Sequence, residues 1–155
     1  MAAEHLPDEM KAAGKAMLEE LDAIGLEPQA VMWVFFESIE EWRLCVVSPL
    51  VETLGRRKVY ALLDGALEKI GPVAGLTIMD VHLYAPDENM ARTMSIIKVE
   101  DAELKLSHVR FASAAMDRGA MVNALVYRMR DPVTGAALRE LTRRFQKAAK
   151  AFVMA

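Results

Sequence analysis

Residues Ala30–Phe36, AVMWVFF, are apolar at every position, and this run restricts the fold more than any other stretch. A strand with one face in water alternates apolar and polar side chains. An uninterrupted run rich in β-branched and aromatic residues therefore predicts a central strand, Ala30–Glu37, covered on both faces. After the polar segment ESIEE comes a second run of the same character, WRLCVVS, so the two read as a hairpin. In the second strand Trp42, Leu44 and Val46 alternate with Arg43, Cys45 and Val47.

Helical periodicity brackets this hairpin. Met10, Ala13, Met17, Leu21 and Ile24 recur at spacings of three and four, which predicts a helix over 7–25 with Pro7 at its start and Gly25 at its stop. Gly14 weakens that helix by about 1 kcal/mol. A second helix is predicted over about 50–70, with Gly55 marking the start of its regular part and Gly71-Pro72 ending it. Leu76–Tyr84 reads as a third strand that places Asp80 and His82 on one face, and a short helix follows around 87–98. Leu106–Ala112 and Met121–Arg130 read as an antiparallel pair joined at Asp117-Arg118-Gly119. The spacing of Leu138, Leu141, Phe145, Ala148 and Phe152 predicts a last amphipathic helix over 134–152; a short strand after Gly135 is the alternative there. The order α-β-β-α-β-α-β-β-α favours an α+β fold, a five-stranded mixed or antiparallel sheet packed by about four helices. At 155 residues the chain fits one domain, with residues 1–6 disordered.

With 54% hydrophobic and 26% charged residues, the chain is far from a disordered composition. Its single cysteine, Cys45, rules out an internal disulfide framework and a Cys-based zinc site within one chain. Set in an apolar run with no histidine nearby in sequence, Cys45 reads as a small buried hydrophobe rather than a nucleophile. The N-terminus lacks an apolar h-region, and no stretch approaches the roughly 20 residues needed to cross a bilayer. A cytoplasmic protein with no membrane partner is expected.

Tests for reactive chemistry return little. Neither G-x-x-x-x-G-K-[ST] nor G-x-G-x-x-G occurs, and His5, His82 and His108 lie far apart without metal-ligand spacing. No cofactor, metal or catalytic set is expected. Asp80 with His82 is the nearest approach to a polar site, although the pair equally suits an open sheet face or a strand end. Asp80 with Glu103 and Lys105 loosely imitates the acid plus E-x-K set of metal-dependent nucleases, which requires the three to converge.

Charge placement is more informative. Residues 1–52 hold 11 acids and 3 bases, whereas residues 53–155 hold 16 bases and 11 acids. Arg139, Arg143, Lys147 and Lys150 form a row opposite the apolar stripe of the last helix, with Arg144 beside it and Arg128 and Arg130 on the preceding strand. Such a stripe suits an acidic protein partner, a second copy of the chain, or nucleic acid; it is also what an ordinary solvated helix face looks like. The net charge of −3 and the absence of helix-turn-helix, RNP and KH signatures disfavour nucleic acid.

Four motifs carry a resemblance: W-R-L-C-V-V-S-P, G-R-R-K-V-Y, the following I-M-D-V-H-L-Y-A-P, and the late Val126-Tyr127-Arg128. Over roughly residues 31–130 the chain resembles a loose group of small uncharacterised bacterial proteins with a strand ending in S-P, a helix bearing G-x-x-x-V-Y and a late V-Y-R strand. The resemblance implies a prokaryotic accessory protein and brings no catalytic set. The expectation is a non-catalytic interaction protein that uses a sheet edge or its last helix; nucleic-acid binding and a metal-dependent nuclease are the alternatives.

Overall fold

The computed structural model describes residues 5–100, 102–110 and 121–154. Strands β1 (Ala30–Phe36) and β2 (Glu41–Val47) form the expected antiparallel hairpin, joined in the sheet by β3 (Val81–Tyr84), β4 (Leu104–Arg110) and β5 (Met121–Met129). The order is β3-β2-β1-β5-β4. The sheet is mixed, because only β2 and β3 run parallel. β1 is thus the middle strand, paired on both edges, and its first six residues are buried.

Among the described residues five helices cover the sheet: α1 (Asp8–Ile24), α2 (Leu50–Leu54), α3 (Arg56–Ile70), α4 (Asn89–Met94) and α5 (Gly135–Met154). Val31, Trp33, Leu44 and Val46 face one core, closed by Met17 and Leu21 of α1, Leu63 of α3 and Phe145 of α5. The alternate residues Met32, Val34, Cys45 and Val47 face a smaller core, closed by Ala91 and Met94 of α4 and by Val99. Leu6, within the segment expected to be disordered, is only 5% exposed and packs in the larger core.

Gly55, whose φ of +88° interrupts the helical path, marks the start of the regular part as expected, with α2 before it and α3 after it. Two other expectations need adjustment. The strand over Leu76–Tyr84 shortens to β3, because Ile78–Asp80 forms a 3₁₀ turn capped by Thr77. The alternation that placed Asp80 and His82 on one strand face therefore stops at Val81. The helix over 87–98 contracts to α4, whereas α5 from Gly135 is the helix expected there and not the alternative strand. The turn expected at Asp117–Gly119 lies outside the described residues.

Gly14 has a role that its helix propensity hides. The Trp33 indole N–H donates to the Met10 carbonyl at 3.1 Å, and the Tyr127 hydroxyl donates to the Lys11 carbonyl at 2.5 Å, so α1 lies directly on β1 and β5. A Cβ at Gly14 would stand 2.3 Å from Trp33 Nε1 and 2.6 Å from the Tyr127 hydroxyl. Gly14→Ala is therefore expected to destabilise the protein by about 1–3 kcal/mol, through overpacking that outweighs the roughly 1 kcal/mol gained in helix propensity. Urea denaturation measures the balance, and a stabilised variant would show that α1 can lift off the sheet freely.

Candidate functional site

Asp80 and His82 are neighbours with separate tasks. The Asp80 carboxylate accepts the Thr77 backbone N–H at 2.9 Å and so holds the 3₁₀ turn. His82 is half-buried, and burial, reinforced by the Arg43 charge, holds its pKa below the usual value against the opposing pull of Asp80 and Glu41. The parallel register sets His82 beside Cys45, a proximity across strands that sequence separation concealed. No thiolate results, because burial pushes the Cys45 thiol up to about 12, and its Sγ points to the Arg43 carbonyl at 3.6 Å.

The nuclease-like set does not assemble. Asp80 immediately precedes β3 and Lys105 lies on β4, the two opposite edges of the sheet, with Glu103 immediately before β4. Four strand spacings separate those edges, roughly 19 Å at about 4.8 Å each, whereas ligands of one metal sit within about 2.5 Å of it. Among the described residues no three His, Cys, Asp or Glu side chains group as metal ligands.

The basic residues divide by whether the fold uses them. Arg128, 7% exposed, donates from both terminal nitrogens to Asp22 at 2.8 and 2.9 Å, tying β5 to α1, so it is not a surface cation. Arg130 donates through Nε to both Glu100 carboxylate oxygens, at 2.9 and 2.8 Å. Within α5, Arg143 pairs with Glu140 at 2.6 Å, and Arg144 reaches Glu27 at 3.4 Å. Arg139, Lys147 and Lys150 are exposed and form no ion pair among the described residues.

The two sheet edges also differ. Tyr60 lies along the outer side of β3, its hydroxyl accepting the Leu83 N–H at 2.8 Å and donating to the Val81 carbonyl at 3.0 Å. That side chain satisfies backbone groups which an added strand would need, so β3 is a closed edge. The tyrosine of the G-x-x-x-V-Y motif is therefore structural.

β4, the opposite edge strand, carries a bulge that the sequence did not announce. Leu106 pairs with Ala124 and Val109 with Val122, leaving Ser107 and His108 together opposite Asn123. His108 takes φ +51°, and its N–H donates to Asn123 Oδ1 at 3.0 Å. Asn123 is 5% exposed, and its Nδ2 is buried without a hydrogen-bond partner among the described residues. Above it lies a cavity of about 210 Å³, lined also by His5, Lys11, Trp42, Lys105 and Ser107 and, among the described residues, by no acidic one. The one signal in the sequence was a lone asparagine within the apolar run of β5.

No protein-family model, curated protein or solved structure matches this chain. Among the described residues no helix is long and apolar enough to cross a membrane.

Two outcomes follow from this geometry. Cys45 in the native protein is expected to resist thiol-specific reagents at pH 8, reacting at the rate of unfolding; fast stoichiometric labelling would contradict its burial. Asp22→Ala strands a buried guanidinium and is expected to cost on the order of 3 kcal/mol, read as a lowered denaturation midpoint.

Proposed function

We propose that this protein is a non-catalytic interaction protein, a prokaryotic accessory subunit that holds an acidic protein surface against the outer face of α5. The observation that carries this reading is the row Arg139, Arg143, Lys147 and Lys150, exposed along one helix, in which only Arg143 has an acid partner among the described residues. The opposite face is anchored by Leu141, Phe145 and Ala149, so the row is presented on a rigid element. Rigid presentation lowers the ordering cost of binding, and complementary charge speeds encounter and selects the partner. Arg128 and Arg130 are left out of the contact surface because the fold engages them.

A second copy of the chain is one candidate partner, since Glu9 and Glu19 are exposed on α1 and carry the opposite sign. A buried lone cysteine fits a reducing cytoplasm, and the absence of a nucleophile–base pair around Asp80, His82 and Cys45 supports binding over catalysis.

The test replaces Arg139, Lys147 and Lys150 together by Glu. These surface changes are expected to shift stability by less than about 1 kcal/mol, which thermal denaturation checks. In pull-downs from the native host, and in light scattering of the purified protein, the variant is expected to lose the partner or the self-association that the wild type shows. Undiminished association in the folded variant would sink the reading. Tight binding of a labelled DNA or RNA duplex, steeply weakened by salt, would move it to nucleic acid.

A further inference from the structure

We propose that the cavity over the β4 bulge is a binding site for a small organic carboxylate, with the charged head on Asn123 and Lys105 and a short apolar body against Trp42 and Leu125. The inference is independent of what α5 holds.

Three observations converge on it. The first is the orphan donor. The Asn123 side chain cannot turn round to relieve its Nδ2, because its Oδ1 already accepts the His108 N–H at 3.0 Å and a flipped amide would set donor against donor. A buried N–H without an acceptor is disfavoured; Nδ2 is closed to solvent in this structure, so a carboxylate oxygen becomes its partner as the exposed Ser107-His108 bulge gives way.

The second is charge. Lys11 and Lys105 are the formal cations of the lining among the described residues, His5 and Ser107 add further polar groups, and none of the described lining residues carries a carboxylate. Lys105 is exposed and has no ion-pair partner among the described residues. Lys11 is paired at 3.4 Å with Asp8, whose side chain is 96% exposed, a contact that solvent weakens and a ligand can replace.

The third is shape and polarity. At about 210 Å³ the cavity falls below the roughly 300–1,000 Å³ of sites for drug-sized ligands. Trp42 and Leu125 give it apolar walls, which an organic acid covers and inorganic phosphate does not. Among the described residues no arginine fork lines it, the feature that favours bidentate phosphate recognition. Lys105 faces the same side of the sheet as Leu125, its register partner, so ammonium and apolar wall are presented together.

The test titrates the full-length ¹⁵N-labelled protein with hexanoate, benzoate, inorganic phosphate and the neutral alcohol hexanol, following the Asn123 side-chain amide and the His108 backbone amide by NMR. Hexanoate or benzoate is expected to shift the Asn123 signals saturably, with a dissociation constant of about 1 mM or tighter, and hexanol is not. Lys105→Met, a change at an exposed position, is expected to weaken binding about tenfold. Asn123→Asp keeps an acceptor for His108 while replacing the free donor with negative charge, and is expected to abolish binding with the His108 amide signal retained. If Asn123→Asp does not fold, the Lys105→Met comparison decides alone. No saturation by either acid at about 20 mM, equal binding of hexanol, unchanged affinity in Lys105→Met, or a response to phosphate alone would overturn the proposal.

Discussion

Everything in this architecture answers to the desolvation of β1. A strand with Val31, Trp33 and Leu44-facing neighbours on one side and Met32 and Val34 on the other leaves no face for water, and its backbone groups must be paired along both edges. β2 and β5 supply those pairings. The helices α1, α3 and α5 close one face, while α4 and the segment through Val99 close the other. The protein is a three-layer structure because its most apolar strand requires two covers.

The covers are held by polar contacts as well as by apolar packing. Trp33 and Tyr127 reach up to carbonyl groups of α1 through the gap left by Gly14, and Arg128 grips Asp22 from the same sheet face. Each joins residues distant in sequence, and each satisfies a polar group that burial would otherwise strand. Tyr60 does the same for the outer backbone groups of β3. These contacts also remove side chains from the pool available for function: two arginines that looked like surface cations belong to ion pairs, and one sheet edge is closed.

Among the described residues, a cationic helix face and a cavity over the β4 bulge stand outside the internal contacts. The ligands proposed for them are rich in acceptors, one broad and one small. They occupy different places, since the cavity forms between the start of α1 and the β4–β5 pair, whereas the row runs along the outside of α5. A binding protein with separate surfaces for a macromolecule and a small anion is consistent with both.

The apolar run of β1, the hairpin, the periodic helices and the five-strand count were legible because each arises from local pattern: burial on both faces or on one stripe dictates which residue types stand at which spacing. So were the α+β class and the single buried cysteine. Other features were illegible for an equally physical reason. Thr77 and Asp80 convert an apparent strand into a turn by a capping exchange that alternation does not register. Arg128 and Asp22 are 106 residues apart, Cys45 and His82 meet only through strand register, and the two-against-one bulge at Ser107-His108 exists only once β5 is in place. Sequence determined the elements and the side chains they bury, because short-range periodicity and solvation act residue by residue. Tertiary structure alone decided which charges stayed free and where a donor was left without an acceptor, because those outcomes depend on which distant segments the sheet brings together.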